Sequence, residues 1–280
     1  MNIAKVIQAL TVTIRNLILG GNLLSLIKSP KRMIGYVSEN LFLYKVLNAK
    51  RSIPQKNVWE VLRAEDVEDI KLGNLRSGGA WFGPISSYTA DIVSLCLICR
   101  ILKPKIVFEI GTMRGYTAFH FALNTPDDCR IYTLDLPKDR GVNPVLKTTV
   151  MDDKHIKSYL KGERYCFEGA DVASKIVLLF GDSATFDFSP YWDKVDFFFI
   201  DGAHSYQYVR SDTLNALRCC HPGSVIDWHD FGRVGVNGFT RWLLELSKEG
   251  YKIYAVPGGS LAFTVVEGQG TIMLKDTPRS

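Results

Sequence analysis

The stretch that decides the fold is residues 105–117, K-I-V-F-E-I-G-T-M-R-G-Y-T. Its first six residues are mostly apolar and predict a buried strand that ends at Ile110. Gly111 and Gly115 follow four residues apart and predict a tight turn, in which a ligand can approach bare backbone. A helical pattern resumes at Tyr116. This order of strand, glycine turn and helix is typical of a nucleotide-binding site.

Around this stretch, apolar segments alternate with helical ones. Strands are predicted at 105–110, 130–134, 175–180, 195–200 and 224–228, and helices at 88–102, 116–123, 206–217 and 239–248. Such alternation indicates βαβ units and a parallel sheet that is covered on both faces. Two last strands, 251–256 and 261–266, flank the turn Pro-Gly-Gly-Ser at 257–260 and predict an antiparallel hairpin. The sequence therefore predicts an α/β fold with a doubly wound, mostly parallel seven-stranded sheet.

The net charge of +5 is concentrated at the N-terminus. Residues 1–56 contain nine Lys or Arg and the single acid Glu39, so the rest of the chain is slightly acidic and shows no general footprint for nucleic acid. We expect a basic helical appendage over residues 1–75 and a main domain over 76–280. The amphipathic pattern of residues 1–28 predicts a helix that packs on the main domain or on a second subunit of a homo-oligomer, or else lies on a membrane surface.

The six cysteines favour a reducing compartment. Cys96 and Cys99 form a C-x-x-C, but they lie inside an apolar helical pattern, which favours packing over a zinc or redox site. The uncharged stretch 16–27 is shorter than the about 20 residues that cross a bilayer. We expect a cytoplasmic protein, with peripheral membrane attachment as the alternative.

Acidic residues mark the carboxyl ends of the predicted strands, where open α/β sheets bind their ligands. These residues are Glu109, Asp135, Asp182, Asp201 and the pair His229-Asp230. The glycine turn is G-x-x-x-G and lacks the dinucleotide fingerprint G-x-G-x-x-G. A binding site with this many acidic residues suits a cationic nucleoside better than a pyrophosphate.

Six motifs in this order resemble those of class I S-adenosylmethionine-dependent methyltransferases. They are E-I-G-T-M-R-G-Y-T at 109–117, T-L-D at 133–135, L-F-G-D-S at 179–183, F-I-D-G-A-H-S-Y at 199–206, V-I-D-W-H-D-F-G at 225–232 and V-P-G-G-S-L-A-F at 256–263. Within the class they are most similar to the branch with the macrocin-type and cephalosporin-associated O-methyltransferases. The resemblance covers about residues 79–266.

The resemblance implies three groups of cofactor-binding residues. Glu109, Gly111, Thr112 and Gly115 would surround the methionine part of S-adenosylmethionine, Asp135 would hold the ribose, and Asp182 with Ser183 would flank the adenine.

The candidate catalytic residues are His204, Asp201 and His229, and the candidate metal ligands are Asp201, His229 and Asp230. If the strands before Asp201 and His229 are neighbours, about 4.8 Å apart, Asp201, His229 and Asp230 converge on a divalent ion. Carboxylates suit Mg²⁺, and a nitrogen ligand favours Mn²⁺ or Fe²⁺. Related metal-dependent enzymes carry an acid where this chain has His229.

We expect methyl transfer to a hydroxyl of a small-molecule or sugar-like (glycan) acceptor, assisted by a metal ion. Two alternatives stay open. One is a metal-independent methyltransferase in which His204 or His229 is the general base. The other is an inactive scaffold that only binds the cofactor.

Overall fold

The computed structural model describes residues 52–67, 69–73, 86–137, 143–159, 164–233 and 236–268. The predicted amphipathic helix in residues 1–28 lies outside the described residues, as does most of the predicted appendage. Among the described helices, none combines the length and the apolar character that a membrane span requires.

A seven-stranded sheet forms the centre of the described fold, with the order β3-β2-β1-β4-β5-β7-β6. The strands are β1 (Ile106–Ile110), β2 (Arg130–Asp135), β3 (Ile176–Phe180), β4 (Val195–Ile200), β5 (Cys220–Trp228), β6 (Tyr254–Ala255) and β7 (Ala262–Val265). Strands β1 to β5 pair in parallel, while β7 runs antiparallel to both β5 and β6. The predicted mostly parallel sheet with an antiparallel end is confirmed.

The described residues contain six α-helices, two before β1 and four between later strands. They are α1 (Val58–Leu62), α2 (Ser86–Leu102), α3 (Tyr116–Asn124), α4 (Val150–Tyr159), α5 (Tyr206–Cys219) and α6 (Asn237–Lys248), with 3-10 helices at Asp171–Lys175 and Ser189–Tyr191. Helix α4 was not predicted, because its sequence V-M-D-D-K-H-I-K-S-Y is polar and carries no clear apolar stripe.

Two strands differ in extent from the sequence prediction. Strand β5 starts at Cys220 rather than at 224, because Cys220 pairs with Val195 ahead of a register shift. Gly223, inside that irregular stretch, has a φ of 91°. Strand β6 contains only Tyr254 and Ala255, the two residues that pair with β7.

The hydrophobic core occupies both faces of the sheet. On one face Phe108 stacks on Phe198 with 5.0 Å between ring centroids, and on the other Phe121 meets Phe197 edge-on at 5.3 Å. Both faces of the central strands are buried, as expected for a parallel sheet between helices. The Cys96 and Cys99 side chains are fully buried and unpaired, in agreement with a packing role.

Residues 53–62 contact the antiparallel end of the sheet. Ile53 and Val58 are buried, and Lys56 N donates a hydrogen bond of 3.1 Å to the carbonyl of Ala255. The boundary at residue 75 between appendage and main domain stays a prediction.

The strand register brings the predicted site residues to one edge of the sheet. Ile110 pairs with Leu134 on one side and with Ile200 on the other, and Ile200 pairs with Trp228. The residues that follow these strand ends are therefore neighbours in space.

Candidate active site

The glycine turn after β1 depends on two positions without side chains. Gly111 and Gly115 have φ values of 107° and 72°, in the left-handed region that favours glycine. A Cβ added at Gly111 would collide with the carbonyl oxygen of Asp201, and one at Gly115 would collide with the ring of Phe167. The turn is thus packed directly against the backbone that follows β4.

Glu109 is linked to this turn by hydrogen bonds through Thr133 and Thr112. Its side chain is buried, and its Oε2 accepts a hydrogen bond of 2.5 Å from Thr133 Oγ1, which also lies 2.6 Å from Thr112 Oγ1. Burial raises the pKa of Glu109 to about 8, although the bond from Thr133 acts in the opposite direction. Near neutral pH this carboxyl therefore holds a proton and adds no full negative charge beneath the turn.

Asp135, at the end of β2, connects the glycine turn to its neighbouring strand. Its Oδ2 accepts a hydrogen bond of 2.7 Å from Met113 N, and its Oδ1 accepts one of 2.7 Å from Leu136 N. The carboxylate is half-buried, beside the turn in which the predicted cofactor would lie. A carboxylate is the kind of acceptor that can bind hydroxyl groups.

Asp182 follows β3 and is held by two different segments. Its Oδ1 accepts from Ala184 N at 2.9 Å, and its Oδ2 accepts from Val145 N at 2.8 Å and from the Tyr208 hydroxyl at 2.7 Å. The neighbouring Ser183 is 9% exposed. Asp182 therefore anchors the loop before α4 to this end of the sheet.

Asp201, His229 and Asp230 converge at the ends of β4 and β5. His229 Nδ1 lies 3.0 Å from Asp201 Oδ1 and 3.2 Å from Asp230 Oδ1. One potential ligand atom from each of the three side chains lies within 4.8 Å of the other two. These three residues are called the rim cluster below.

The spacing of the rim cluster is compatible with a small divalent cation as well as with ion pairs of His229. An octahedral ion with ligands at about 2.1 Å holds adjacent ligand atoms about 3 Å apart, close to the two separations observed here. Two carboxylates with one imidazole suit Mn²⁺ or Fe²⁺, and Mg²⁺ less well.

The orientation of His229 is fixed from its other side. Its Nε2 lies 3.3 Å from Ser260 Oγ and 3.4 Å from Asp91 Oδ2, and Ser260 donates from both N and Oγ to Asp91 at 2.8 Å. A proton on Nε2 leaves the Nδ1 lone pair directed at the rim cluster, as metal-binding histidines require.

Charged partners surround the rim cluster in its metal-free form. Burial lowers the pKa of His229, but the charges of Asp201 and Asp230 outweigh burial and raise that pKa well above its usual value. Asp230 also forms an ion pair with Arg233. Burial raises the pKa of Asp230, but the charge of His229, the hydrogen bond from His204 and Arg233 hold it well below its usual range. Through the Nδ1 lone pair, His229 would hold a cation only in its neutral form.

His204 lies between two carboxylates. Its Nδ1 is 2.5 Å from Asp152 Oδ1, and its Nε2 is 2.8 Å from Asp230 Oδ2. Burial lowers the pKa of His204, but these two hydrogen bonds outweigh burial and raise it to about 10. With both nitrogens engaged and the ring protonated, His204 is poorly suited to be a general base.

Asp227 is a further buried acid on β5. None of the described residues forms a hydrogen bond to its carboxyl oxygens, and the side chain is fully buried. Burial and the charge of Asp91 raise its pKa well above the usual range. This shift favours the neutral form of Asp227 beside the rim cluster.

The remaining histidines have structural contacts. His120 Nδ1 lies 2.8 Å from the Tyr116 carbonyl, and His221 Nε2 lies 3.1 Å from Asp196 Oδ1. The ring of His155 packs edge-on against His204 at 5.9 Å.

The sequence missed three residues that hold the rim in place, namely Asp91, Asp152 and Ser260. Asp91 lies on the apolar face of α2, four residues before buried Leu95, and an acid at such a position was a usable signal. Asp152 and Ser260 carried none, because α4 and the hairpin turn are polar in any case.

Comparisons with known proteins agree with this architecture. A family model described as a methyltransferase domain matches residues 108–231. A search of curated proteins gave no match.

Three of the solved structures that resemble this chain are compared by sequence identity and coverage. One is the O-methyltransferase TomG of Streptomyces achromogenes, involved in tomaymycin synthesis and solved with S-adenosylmethionine. It is 18% identical to this chain, and the alignment covers 81% of this chain and 89% of TomG, with a TM-score of 0.44. The Bacillus cereus O-methyltransferase, solved with S-adenosylhomocysteine, is 18% identical, with 80% and 90% covered and a TM-score of 0.44. Cofactor-bound Rv0187 from MTB is 16% identical, with 81% and 89% covered and a TM-score of 0.46.

Residues 108–231 match a methyltransferase domain, and the sheet has the parallel strands and the antiparallel end that the sequence predicted. The predicted resemblance and the predicted enzyme class, a methyltransferase, are confirmed at the level of this domain.

Proposed function

We propose that the protein transfers the methyl group of S-adenosylmethionine to a hydroxyl oxygen of a small-molecule or sugar-like acceptor, at the rim cluster and with a divalent cation. The observation that carries this proposal is the cluster itself, in which His229 Nδ1 lies 3.0 and 3.2 Å from carboxylate oxygens of Asp201 and Asp230.

The cofactor is proposed to lie over the glycine turn. The positive φ values of Gly111 and Gly115 shape the turn on which the methionine part would lie, and the Asp135 carboxylate is the group that would accept hydrogen bonds from the ribose hydroxyls. Glu109 and Thr112 support this turn, while Asp182 and Ser183 border the adenine end. S-adenosylmethionine supplies the electrophilic methyl group, whose carbon–sulfur electron pair returns to sulfur as the acceptor oxygen bonds to carbon.

Asp201 is the member of the rim cluster that can reach the acceptor. Its side chain is 27% exposed, against 9% for His229 and 4% for Asp230. When bound, a divalent cation lowers the pKa of an acceptor hydroxyl and orients the oxygen. Asp201 would accept the hydroxyl proton as the oxygen bonds to the methyl carbon, and His229 with Asp230 would hold the cation.

Backbone packing sets the distance between the proposed sites of the methyl donor and the hydroxyl acceptor. Because Gly111 packs against the carbonyl of Asp201, the methionine end of the cofactor and the rim cluster are immediate neighbours. Holding two reactants side by side in this way accelerates the transfer without any further chemical group.

A chelator experiment tests the cation. Purified protein is incubated with labelled S-adenosylmethionine and a panel of glycan and phenolic acceptors, in EDTA or with added Mn²⁺ or Mg²⁺. We expect methylation with Mn²⁺ and its loss in EDTA. Full activity in EDTA would contradict the metal-assisted mechanism and would favour a metal-free reaction with a histidine base.

The inactive-scaffold alternative is tested with Asp201→Asn. This change should abolish turnover and leave cofactor binding intact, whereas a scaffold would show no turnover in the unchanged protein with any acceptor. Asp193→Asn, the same substitution at an exposed position before β4, is the matched control.

The cellular setting stays a prediction. We propose a cytoplasmic enzyme, with membrane attachment through residues 1–28 as the alternative. Co-sedimentation with anionic liposomes, compared between the full chain and one that starts at residue 29, checks the attachment, and unchanged sedimentation of the shorter chain would contradict it.

A further inference from the structure

Helix α4 lies in the long connection between β2 and β3 and brings Asp152 to the rim cluster. The helix start fixes this side chain, since Asp152 N donates to Thr149 Oγ1 at 3.2 Å and Asp152 Oδ2 accepts from Thr149 N at 2.6 Å. This reciprocal pair is a helix cap. It accounts for one carboxylate oxygen only.

The other oxygen, Asp152 Oδ1, is directed at His204. It lies 2.5 Å from Nδ1 of the ring and accepts from the backbone N of His204 at 3.0 Å. Both side chains are buried, with 4% of Asp152 and 7% of His204 exposed. A helix cap alone would not require this oxygen to contact His204, which lies 52 positions away in the sequence.

The ring of His204 transmits this orientation to Asp230. With Nδ1 fixed, Nε2 lies 2.8 Å from Asp230 Oδ2, and the ring plane is held edge-on by Phe239 at 6.0 Å. Asp230 Oδ2 is thereby occupied, and Oδ1 faces His229 Nδ1 at 3.2 Å and also pairs with Arg233. The carboxylate therefore presents one defined oxygen to the rim cluster.

We propose that Asp152 is a positioning residue of the active site, which acts through His204 to set the orientation of the Asp230 carboxylate. This inference rests on the proposed function, because it assumes that Asp230 holds a cation. It assigns the connection between β2 and β3 a part in catalysis, although Asp152 itself does not touch the reacting atoms.

Titration calorimetry with Mn²⁺ alone tests the role of Asp152. Asp152→Asn keeps the size of the side chain and an oxygen for the cap, but removes the charge that holds the His204 ring. We expect Mn²⁺ to bind about tenfold more weakly, the usual effect of losing a partner behind a metal ligand. The dissociation constant for S-adenosylhomocysteine should stay within about twofold, since the glycine turn and Asp135 are not affected.

Asp153→Asn is the matched control. It removes the same charge from the same turn of α4, but Asp153 Oδ1 accepts from Thr148 Oγ1 and not from His204. We expect unchanged Mn²⁺ affinity in this variant. Equal weakening by both substitutions would mean that the negative charge of the helix start is responsible, and would overturn the inference.

A double-mutant cycle tests whether Asp152 acts through His204. His204→Ala alone should weaken Mn²⁺ binding, and adding Asp152→Asn should weaken it no further. Additive losses would overturn the inference, because Asp152 would then act by a route that bypasses the ring.

The outcomes separate the two proposals. If the unchanged protein binds no Mn²⁺, the metal-assisted function fails, and the positioning role fails with it. If the unchanged protein binds Mn²⁺ and Asp152→Asn binds it equally well, only the positioning role is overturned.

Discussion

The two ends of the site hold their acids by different means. At the cofactor end, Asp135 accepts from two backbone amides, and Asp182 accepts from two backbone amides and a tyrosine hydroxyl. At the rim cluster, Asp201 and Asp230 face imidazoles and a guanidinium instead.

This difference determines how each end responds to change. The positions of backbone amides are set by the fold, and they stay in place when a side chain is replaced. A mutation at the proposed cofactor end should therefore affect only the residue that is changed and its direct contacts. The rim cluster consists of buried ions, and removing one member leaves its partners charged and unpaired. Changes there should spread to the neighbouring residues.

The largest expected effect comes from the contact that joins the two ends. Gly111→Ala adds a Cβ that collides with the Asp201 carbonyl, at a φ of 107°. We expect a loss of about 4 kcal/mol or more in the free energy of unfolding. Gly223→Ala, at a φ of 91° with open space around the added carbon, should cost about 1 kcal/mol. Urea denaturation of the two variants measures the difference, and equal losses would show that the contact does not matter.

The second prediction separates catalysis from cofactor binding. Asp201→Asn should lower turnover about a hundredfold or more, with cofactor affinity unchanged. Asp135→Asn should weaken cofactor affinity about tenfold and leave turnover at saturating cofactor nearly intact. Steady-state kinetics and calorimetry on both variants check this, and the comparison fails if both substitutions change the same parameter.

The third prediction concerns the pH dependence at Glu109. Between its ordinary pKa of 4.5 and the native value of about 8, the carboxyl ionises in the unfolded chain but keeps its proton in the folded one. The folded protein therefore loses stability as pH rises through this window, and Glu109→Gln should escape that loss. At pH 8.5 we expect the variant to be more stable than the unchanged protein by roughly 2–4 kcal/mol, and near pH 4.5 we expect no such gain.

Thermal unfolding at several pH values measures this gain, with Glu249→Gln at an exposed position as the control. A gain that is the same at pH 4.5 and 8.5 would show that ionisation of Glu109 is not its cause.

The smallest expected effect is at Tyr208, whose hydroxyl donates to Asp182 Oδ2 and accepts from Leu146 N at 3.3 Å. Tyr208→Phe removes one neutral hydrogen-bond partner at the cofactor end. We expect cofactor affinity to fall about fivefold without any effect on Mn²⁺ binding. An altered Mn²⁺ affinity would mean that the two ends are less independent than their hydrogen bonds indicate.

Much of the fold could be predicted from the sequence, because strands buried on both faces are visible as continuous apolar runs. The order of strands and helices and the antiparallel end follow from such runs and from the glycine turns at 111–115 and 257–260. The start of β5 and the short β6 could not be read this way. They depend on pairing partners, Val195 for Cys220 and Ala262 for Ala255, that are distant in sequence.

The sequence predicted the site residues that directly follow strand ends, and it missed those that tertiary packing brings to the site from other segments. Asp201, His229 and Asp230 follow strand ends, so parallel pairing alone brings them together. The residues that orient the two histidines come from α2, α4 and the hairpin turn. Tertiary packing brings these segments to the rim, and no spacing in the sequence records that.

The packing of Gly111 on the Asp201 carbonyl also bears on directed evolution of the acceptor range. This contact joins the glycine turn, where the methyl donor is proposed to bind, to the backbone of the rim cluster. Because the contact involves main-chain atoms, randomising nearby side chains should not change the spacing between the two. Libraries should leave residues 111 and 201 unchanged and vary an exposed neighbour such as Met113, which is 48% exposed. New acceptor preferences could then be selected without loss of the transfer geometry.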